Sequence, residues 1–265
     1  MCGISAVIGN YAPIKAMLLT LNQLERGTQG TGMAYICNNK LKVIKEPCHP
    51  YVFFDMHLNE LRENSKIAIC HNRLPSAGAV KYENTHPFLD CNKNFALIHN
   101  GHAFLYKNRE LLIQNGHKIL GETDSETLTH LLEELYKEHK DMIKALKELT
   151  KNYLSGNIIV LTKDKKLYLA KSGYNDLHIA IAKNEIYIAS SLKAIQKALR
   201  CLDIKKYKIK EIRNNTIVEI KKLKIKFYKV RIPYKTVIKS WFKKYNSDYY
   251  YDSYYENLFS NYYYF

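Results

Sequence analysis

The sequence predicts an α+β fold in which short strands and a few helices pack in layers. Hydrophobic residues make up 46% and charged residues 25% of the 265-residue chain, which is the composition of a globular protein. Short apolar runs typical of buried strands recur along the chain, and between them lie segments with the i, i+3, i+4, i+7 apolar spacing of helices. Strands in blocks with helices between them are typical of layered α+β proteins.

The first half of the chain opens with an apolar run at residues 3–8, which predicts a buried strand. A helix is expected from Pro13 to about Arg26, because proline suits the first helical turn and Gly27 can end a helix. Three further strands are predicted in this half, at residues 32–37, 66–71 and 95–99.

The second half contains the most regular helical pattern, which begins near Thr123. Residues 123–126 (TDSE) have the form of a capping box, and leucines follow at helical spacing. Two shorter helices are predicted at residues 141–149 and 191–199. Strands are predicted at residues 156–161, 167–170, 178–182 and 186–189, and the alternation over 216–232 predicts a strand pair.

Two features bear on compartment and cofactors. No run approaches the roughly 18 consecutive apolar residues of a membrane span, and no secretory signal opens the chain, so a cytoplasmic protein without a membrane partner is expected. The six cysteines include no C-x-x-C pair and form no zinc-like pattern with the histidines. The sequence therefore predicts no metal site and no cofactor.

The net charge of +16 is unevenly distributed. Residues 203–244 hold 15 Lys and Arg against three acids, whereas residues 245–265 hold nine tyrosines, three acids and no base. Most of the basic residues are lysine, and arginine, the better ligand for phosphate and guanine, is scarce. Nucleic-acid binding is therefore possible but not favoured. We expect one domain over residues 2–235 and a Tyr-rich tail over 236–265 that either docks a partner or packs back on the domain.

Cys2 is the first candidate for chemistry. Removal of Met1 would leave a thiol and a free α-amine on one residue, and an amine with a pKa near 7.7–8.0 can accept the thiol proton. Taken alone, the simpler interpretation is that Cys2 has no special role.

Four other residues strengthen the hypothesis of acyl transfer. Asn100 and Gly101 follow a predicted strand and can supply a side-chain amide and a backbone N–H to an oxyanion, although Asn-Gly is also a common turn. Arg73 and Asp124 can bind the α-carboxylate and α-ammonium of an amino-acid substrate. The simpler interpretations are a surface ion pair for Arg73 and helix capping for Asp124.

At these residues the chain resembles the class II glutamine amidotransferases, members of the N-terminal-nucleophile hydrolase superfamily. The similarity spans roughly residues 2–200 and is carried, in the family's order, by residues 2–4 (CGI), 26–32 (RGTQGTG), 71–78 (HNRLPSAG), 84–88 (NTHPF), 98–101 (IHNG) and 121–126 (GETDSE). Residues 74–77 look nearest to the loop of phosphoribosylpyrophosphate amidotransferases. The chain departs from the family pattern at Gln29, Gly30, Thr31, Leu74 and Ser76.

The resemblance implies a four-layer αββα sandwich and a site that takes the γ-glutamyl group from L-glutamine and releases ammonia. The implied catalytic residues are the nucleophile Cys2 and the oxyanion-hole residues Asn100 and Gly101, and the implied glutamine-binding residues are Arg73, Asp124, Gly27, Arg26, Ser76 and His86.

Larger members of the family add a synthase domain, and the residues that follow the similarity here are too few for one. The expectation is therefore a glutaminase that passes ammonia to a separate synthase. One alternative is a stand-alone hydrolase of glutamine or γ-glutamyl compounds, and another is a non-catalytic or nucleic-acid-associated protein that keeps the fold. We expect residues 74–84 to form a loop that closes on the site when the partner binds.

Overall fold

The computed structural model describes residues 1–76, 78–103 and 105–231, and Met1–Val230 forms one compact unit. The predicted domain boundary at residue 235, the Tyr-rich tail and the last residue of the predicted strand pair lie outside the described residues. No helix in the described part of the chain is both long and apolar enough to cross a bilayer.

Thirteen strands and seven α-helices make up this unit as described. The strands are β1 (Gly3–Ile8), β2 (Thr31–Cys37), β3 (Lys40–Glu46), β4 (Ile67–Asn72), β5 (Phe88–Leu89), β6 (Phe95–Ala103), β7 (Leu154–Thr162), β8 (Lys166–Ser172), β9 (His178–Ala182), β10 (Ile186–Ala189), β11 (Tyr207–Glu211), β12 (Thr216–Lys221) and β13 (Lys224–Lys229). The helices are α1 (Ala12–Leu21), α2 (Pro50–Met56), α3 (Leu58–Leu61), α4 (Tyr106–Gln114), α5 (Asp124–His139), α6 (Met142–Asn152) and α7 (Leu192–Cys201).

The strands form two antiparallel sheets. The seven-stranded sheet has the order β11-β9-β10-β1-β4-β2-β3, and the six-stranded sheet has the order β13-β12-β8-β7-β6-β5. Strand β1 lies in the middle of its sheet, between β10 and β4, and is buried along its whole length. The residue that precedes β1 is therefore held by a strand that is paired on both sides.

The two sheets pack face to face between two layers of helices. In β1, Ile4 points into an apolar core shared with Ile98 of β6, and Val7 points to the opposite face, where it packs with Met17 of α1. Helices α1 and α7 lie against the first sheet, and α5 and α6 lie against the second. The predicted α+β class and the four-layer αββα sandwich are confirmed.

The helix predicted over residues 13–26 is wrong at its end. Helix α1 stops at Leu21, and a short 3-10 turn at Leu24–Arg26 follows before Gly27. The reason is Gln23, which is fully buried and whose Nε2 donates to the carbonyl oxygen of Ile4 at 3.4 Å. The chain must leave the helical path to direct this side chain into the sheet.

The capping box predicted at Thr123 does not form, although α5 begins where it was expected. The hydroxyl of Thr123 is buried without a hydrogen-bond partner among the described residues. The carboxylate of Glu126 accepts instead from the backbone N–H groups of Leu120 at 3.1 Å and Gly121 at 2.6 Å. Glu126 thus fixes the loop before the helix rather than its first turn.

The basic strands at the C-terminal side of the unit occupy the sheet edges. Strand β11 is the outer strand of one sheet and β13 the outer strand of the other, and most of their lysines are exposed. The Nζ of Lys210 lies 3.8 Å from the ring centroid of Phe227, so the two edges meet. Lysine side chains on an edge strand prevent that strand from pairing with other chains. This role accounts for many of the described lysines in the basic segment, and it does not require nucleic-acid binding.

Candidate active site

Cys2 lies directly before β1, at the point where Gly3 pairs with Asn72 of β4. Its thiol donates to the carbonyl oxygen of Leu74, with 3.5 Å between sulfur and oxygen. Leu74 follows β4 in the chain, so two neighbouring strands of the first sheet hold the sulfur in place.

The buried side chain of Asn72 organises the backbone beside Cys2. Its Nδ2 donates to the carbonyl oxygens of Gln23 at 3.1 Å and Gly27 at 2.8 Å. A Cβ on Gly3 would lie 2.1 Å from Asn72 Oδ1, so only glycine allows the two to approach this closely.

The segment at residues 26–30 forms a wall against the chain that follows β4. A Cβ on Gly27 would lie 2.3 Å from the carbonyl carbon of Arg73, and Gly27 has a φ of 146°. The Gln29 N–H donates to the Arg73 carbonyl oxygen at 3.1 Å. Nη2 of Arg26 donates to the carbonyl oxygen of Ser190 at 3.4 Å, so the wall is also tied to the end of β10.

Arg73 brings a buried positive charge to this end of the sheet. The residue is 3% exposed, and its guanidinium donates to the carbonyl oxygens of Ala79 at 2.8 Å and Gly78 at 3.1 Å. The same loop is fastened by Glu122, whose carboxylate accepts from the Ala79 N–H at 3.1 Å and pairs with Lys81 at 2.6 Å.

Asp124 brings a negative charge from the other side. It is the first residue of α5, and its Oδ2 accepts from the backbone N–H of Ala103, at the end of β6, at 2.6 Å. This bond fixes the start of the helix against the strand that carries Asn100.

Both charges are close enough to act on the Cys2 thiol. Burial raises the pKa of this thiol above its usual 9.0, the positive charges of the chain's N-terminus and Arg73 oppose the rise, and the negative charge of Asp124 adds to it. The thiol is therefore neutral at pH 7 and needs a base to become a nucleophile.

Asn100 supplies a donor from the second sheet. The residue is 1% exposed, and its Nδ2 is buried without a hydrogen-bond partner among the described residues. Gly101 follows it and pairs with Gly156 of β7, and a Cβ on Gly101 would lie 2.1 Å from the Ser155 carbonyl oxygen. A buried donor without a partner is rare in native proteins and suits a group that awaits an oxyanion.

Histidines join the two sheets beneath these residues. Nε2 of His71 in β4 lies 3.2 Å from the carbonyl oxygen of His99 in β6, and the His86 ring stacks on His71 with 3.9 Å between ring centroids. Burial lowers the pKa of His71 to about 3 and that of His86 well below its usual 6.5. Both imidazoles are neutral at pH 7, and the contact between His71 and His99 ties β4, which directly precedes Arg73, to β6, which contains Asn100.

Residues 16–192 match the model of the class II glutamine amidotransferases. The chain belongs to this family. Among curated relatives of this amidotransferase, glutamine–fructose-6-phosphate aminotransferase (isomerizing) from Sulfurisphaera tokodaii is 32% identical over 203 residues, which is 73% of this chain and 34% of the relative. The same enzyme from Methanococcus maripaludis is 33% identical over 209 residues, with 73% and 34% covered. The chain thus spans about a third of the length of these relatives.

Solved structures share the amidotransferase fold. Glutamine phosphoribosylpyrophosphate amidotransferase from B. subtilis matches with a TM-score of 0.73 at 22% identity, over 88% of this chain and 50% of that chain. A class II glutamine aminotransferase domain protein from Silicibacter pomeroyi matches with a TM-score of 0.55 at 14% identity, over 88% of this chain and all of that chain.

Ser76 and His86 occupy different surroundings from the other site residues that the sequence predicted. Ser76 is exposed in the loop after Arg73. His86 is buried against β2, where a Cβ on Gly32 would lie 2.1 Å from its carbonyl oxygen, and neither ring nitrogen has a hydrogen-bond partner among the described residues. The charges of Arg73 and Asp124 both act on the pKa of the Cys2 thiol, whereas Ser76 lies at an exposed position of the loop after Arg73.

Two positions where the amidotransferase departs from its family pattern expose their side chains. Gln29 is exposed and contributes its backbone N–H, and Leu74 is 41% exposed and contributes its carbonyl oxygen. These two contacts involve backbone atoms and do not depend on the side chain, so they are compatible with the departures.

Sequence reasoning missed Asn72 and Glu122 as organisers of the site. Asn72 lies between His71 and Arg73, at a position of the family motif that accepts any residue. Its role is therefore evident only from its burial and from the two backbone carbonyl groups that accept its hydrogen bonds. Glu122 lies in a matched motif, but its contacts to the loop before Asn84 depend on the fold.

Proposed function

We propose that this chain hydrolyses the side-chain amide of L-glutamine through a thioester on Cys2. The Cys2 sulfur attacks the amide carbon, and the developing oxyanion receives hydrogen bonds from Asn100 Nδ2 and the Gly101 N–H. Collapse of this intermediate breaks the carbon–nitrogen bond and releases ammonia, and water then cleaves the thioester to glutamate. The Nδ2 of Asn100, which is buried and has no hydrogen-bond partner among the described residues, is the observation that carries the proposal.

Glutamine as substrate is supported by what the relatives have in common. Their names pair glutamine with different second substrates, fructose 6-phosphate in one case and phosphoribosyl pyrophosphate in the other. We therefore assign the segment that this chain shares with both to the glutamine-dependent part of the reaction. Buried Arg73 and partly buried Asp124 carry charges complementary to the α-carboxylate and the α-ammonium of glutamine.

Activation of the thiol rests on the α-amine of Cys2 once Met1 is removed. The amine would accept the thiol proton, directly or through a water molecule, and return it to the leaving ammonia. Intact-mass measurement of active protein tests this step. Full activity in a chain that retains Met1 would rule out the amine as the base.

Ammonia is proposed to pass to a separate synthase. The name of the curated relatives pairs glutamine with an acceptor of its amino group, and in this proposal a separate protein binds the acceptor. Isolated chain should then turn glutamine over slowly and accelerate when its partner and acceptor are added. If the isolated chain already reaches tens of turnovers per second, near the enzyme median, the stand-alone hydrolase replaces this proposal.

Cysteine variants provide the direct test of the nucleophile. Cys2→Ala should abolish ammonia release from glutamine, while Cys48→Ala and Cys201→Ala should keep it. Cys48 is partly buried and Cys201 is exposed, so the controls include one partly buried thiol and one exposed thiol. Ammonia release at the wild-type rate in Cys2→Ala would refute the mechanism.

A further inference from the structure

A second group of reactive side chains lies along α5, away from Cys2. Cys91 follows β5, His117 follows α4, and His130 and Glu133 occupy one face of α5. Three of the four residues are buried, and Cys91 is exposed. Within the described ranges this is the one cluster of potential metal ligands, and the proposed glutamine chemistry does not use it.

One atom from each residue points to a common centre. Cys91 Sγ lies 3.4 Å from His117 Nδ1 and 3.5 Å from His130 Nδ1. The two Nδ1 atoms lie 3.2 Å apart, and each lies 3.3 Å from Glu133 Oε2. Five of the six edges of the group thus have nearly equal length.

These lengths are close to those of a tetrahedral zinc site. Bonds of about 2.3 Å to sulfur and 2.0–2.2 Å to nitrogen and oxygen, at tetrahedral angles, place neighbouring ligand atoms about 3.3–3.6 Å apart. One thiolate, two imidazoles and one carboxylate form a mixed donor set of the kind that Zn²⁺ accepts.

The outer contacts also fit a metal ligand. Nε2 of His117 lies 3.0 Å from Glu134 Oε1, so a neutral His117 donates there and turns the lone pair of Nδ1 to the centre. That lone pair faces the carboxylate oxygen of Glu133, and two acceptors 3.3 Å apart repel each other unless a cation or a proton lies between them. The Cys91 N–H donates to the same Glu133 oxygen at 3.0 Å, which orients the carboxylate.

We propose that Cys91, His117, His130 and Glu133 bind a structural zinc ion. Four protein ligands close the coordination sphere, which is typical of structural sites and leaves no open position for a substrate. The ion would fasten the connection after β5 and the connection after α4 to the helix that begins with Asp124. It would therefore stabilise the frame of the glutamine site without entering its chemistry.

Metal analysis of the full-length protein tests the proposal. Protein purified without chelators and then desalted should contain about one zinc per chain. Cys91→Ser and His130→Ala should lower this content at least tenfold, and Cys201→Ser, which changes another exposed thiol, should leave it unchanged. Zinc in Cys91→Ser equal to that of the wild type would overturn the assignment.

A second pair of variants tests zinc binding without removing a ligand, in case the ligand variants fail to fold. Glu134→Ala removes the outer partner of His117 from a partly exposed position and should weaken zinc binding by about 10–100-fold in a chelator competition. Glu138→Ala changes an exposed acid on the same helix and serves as the matched control. Equal zinc affinity in the two variants would count against His117 as a ligand.

Cobalt substitution reports the ligand set in the wild-type chain itself. Metal-depleted protein titrated with Co²⁺ should give tetrahedral ligand-field bands and a thiolate-to-cobalt band that Cys91→Ser removes and Cys201→Ser keeps. Folded wild-type protein that binds neither Co²⁺ nor Zn²⁺ stoichiometrically would refute the proposal, whatever its glutaminase activity.

Discussion

Asn100→Ala isolates the proposed oxyanion contact. Loss of one such donor lowers turnover by about 10²–10³-fold, which corresponds to about 2.7–4 kcal/mol of transition-state stabilisation. The full effect is expected here because Nδ2 of Asn100 is buried and has no other partner among the described residues that the substitution would disturb.

The same substitution should not destabilise the fold through that amide. A buried donor without a partner costs about 1–3 kcal/mol of desolvation free energy, and alanine removes it. Asn157, the residue directly opposite in β7, is the matched control because its Nδ2 donates to the carbonyl oxygens of Asn175 at 2.9 Å and Asp176 at 3.0 Å. Asn157→Ala leaves those two acceptors unpaired and should lower the free energy of unfolding by about 1–3 kcal/mol.

Two measurements separate the predictions. Steady-state ammonia release should give a large loss of kcat for Asn100→Ala, and thermal unfolding should give a Tm no lower than that of the wild type. Asn157→Ala should lower Tm clearly and retain more activity than Asn100→Ala. If Asn100→Ala keeps kcat within tenfold of the wild type, or loses as much Tm as Asn157→Ala, its amide is a structural group and the assignment to the oxyanion fails.

Three further predictions address the rest of the site. Asp124→Asn keeps an acceptor for the Ala103 N–H but removes the negative charge. Because a charge-assisted hydrogen bond contributes about 1.5–3 kcal/mol, KM for glutamine should rise about 10–100-fold with a smaller change in kcat. An unchanged KM would contradict the proposed role of Asp124. Gly27→Ala places a Cβ 2.3 Å from the Arg73 carbonyl carbon and should lower both kcat/KM and Tm, by about 1–3 kcal/mol in stability; wild-type kinetics would show that this wall is not needed. Because burial raises the pKa of the Cys2 thiol, kcat/KM should rise with pH as an amine with a pKa near 7.7–8.0 loses its proton; a pH profile without that inflection would exclude the amine as the base.

Local sequence patterns predicted the elements that are buried on both faces. The runs at β1 and β10 are continuous and consist of apolar or small residues, so their bounds could be found to within a residue. Elements at the periphery were missed, among them β3, whose lysines alternate with apolar residues, and α4, which packs on α5. Their structure depends on the neighbours that cover one face.

The site itself could be predicted only in part, since its residues come from separate segments. Cys2, Arg73, Asn100 and Asp124 each carry a local signal, but the contacts that position them do not. The ligand group around His130 shows the limit most clearly. Its members are separated by 26, 13 and 3 residues along the chain, which matches no metal-binding spacing, and the packing of α4 and β5 against α5 brings them together.

The distribution of charge at the site follows from where the sheets meet. Burial keeps His71 and His86 neutral at pH 7, so these two side chains bring no cation to the junction between the strands of Arg73 and Asn100. In the proposed function, complementarity to a zwitterionic substrate then rests on Arg73, which follows β4 of the first sheet, and on Asp124, which begins helix α5 beside the second sheet. A change in the packing of the sheets would move these charges relative to the sulfur, and so the apolar core around Ile98 sets the geometry of binding as well as the stability of the fold.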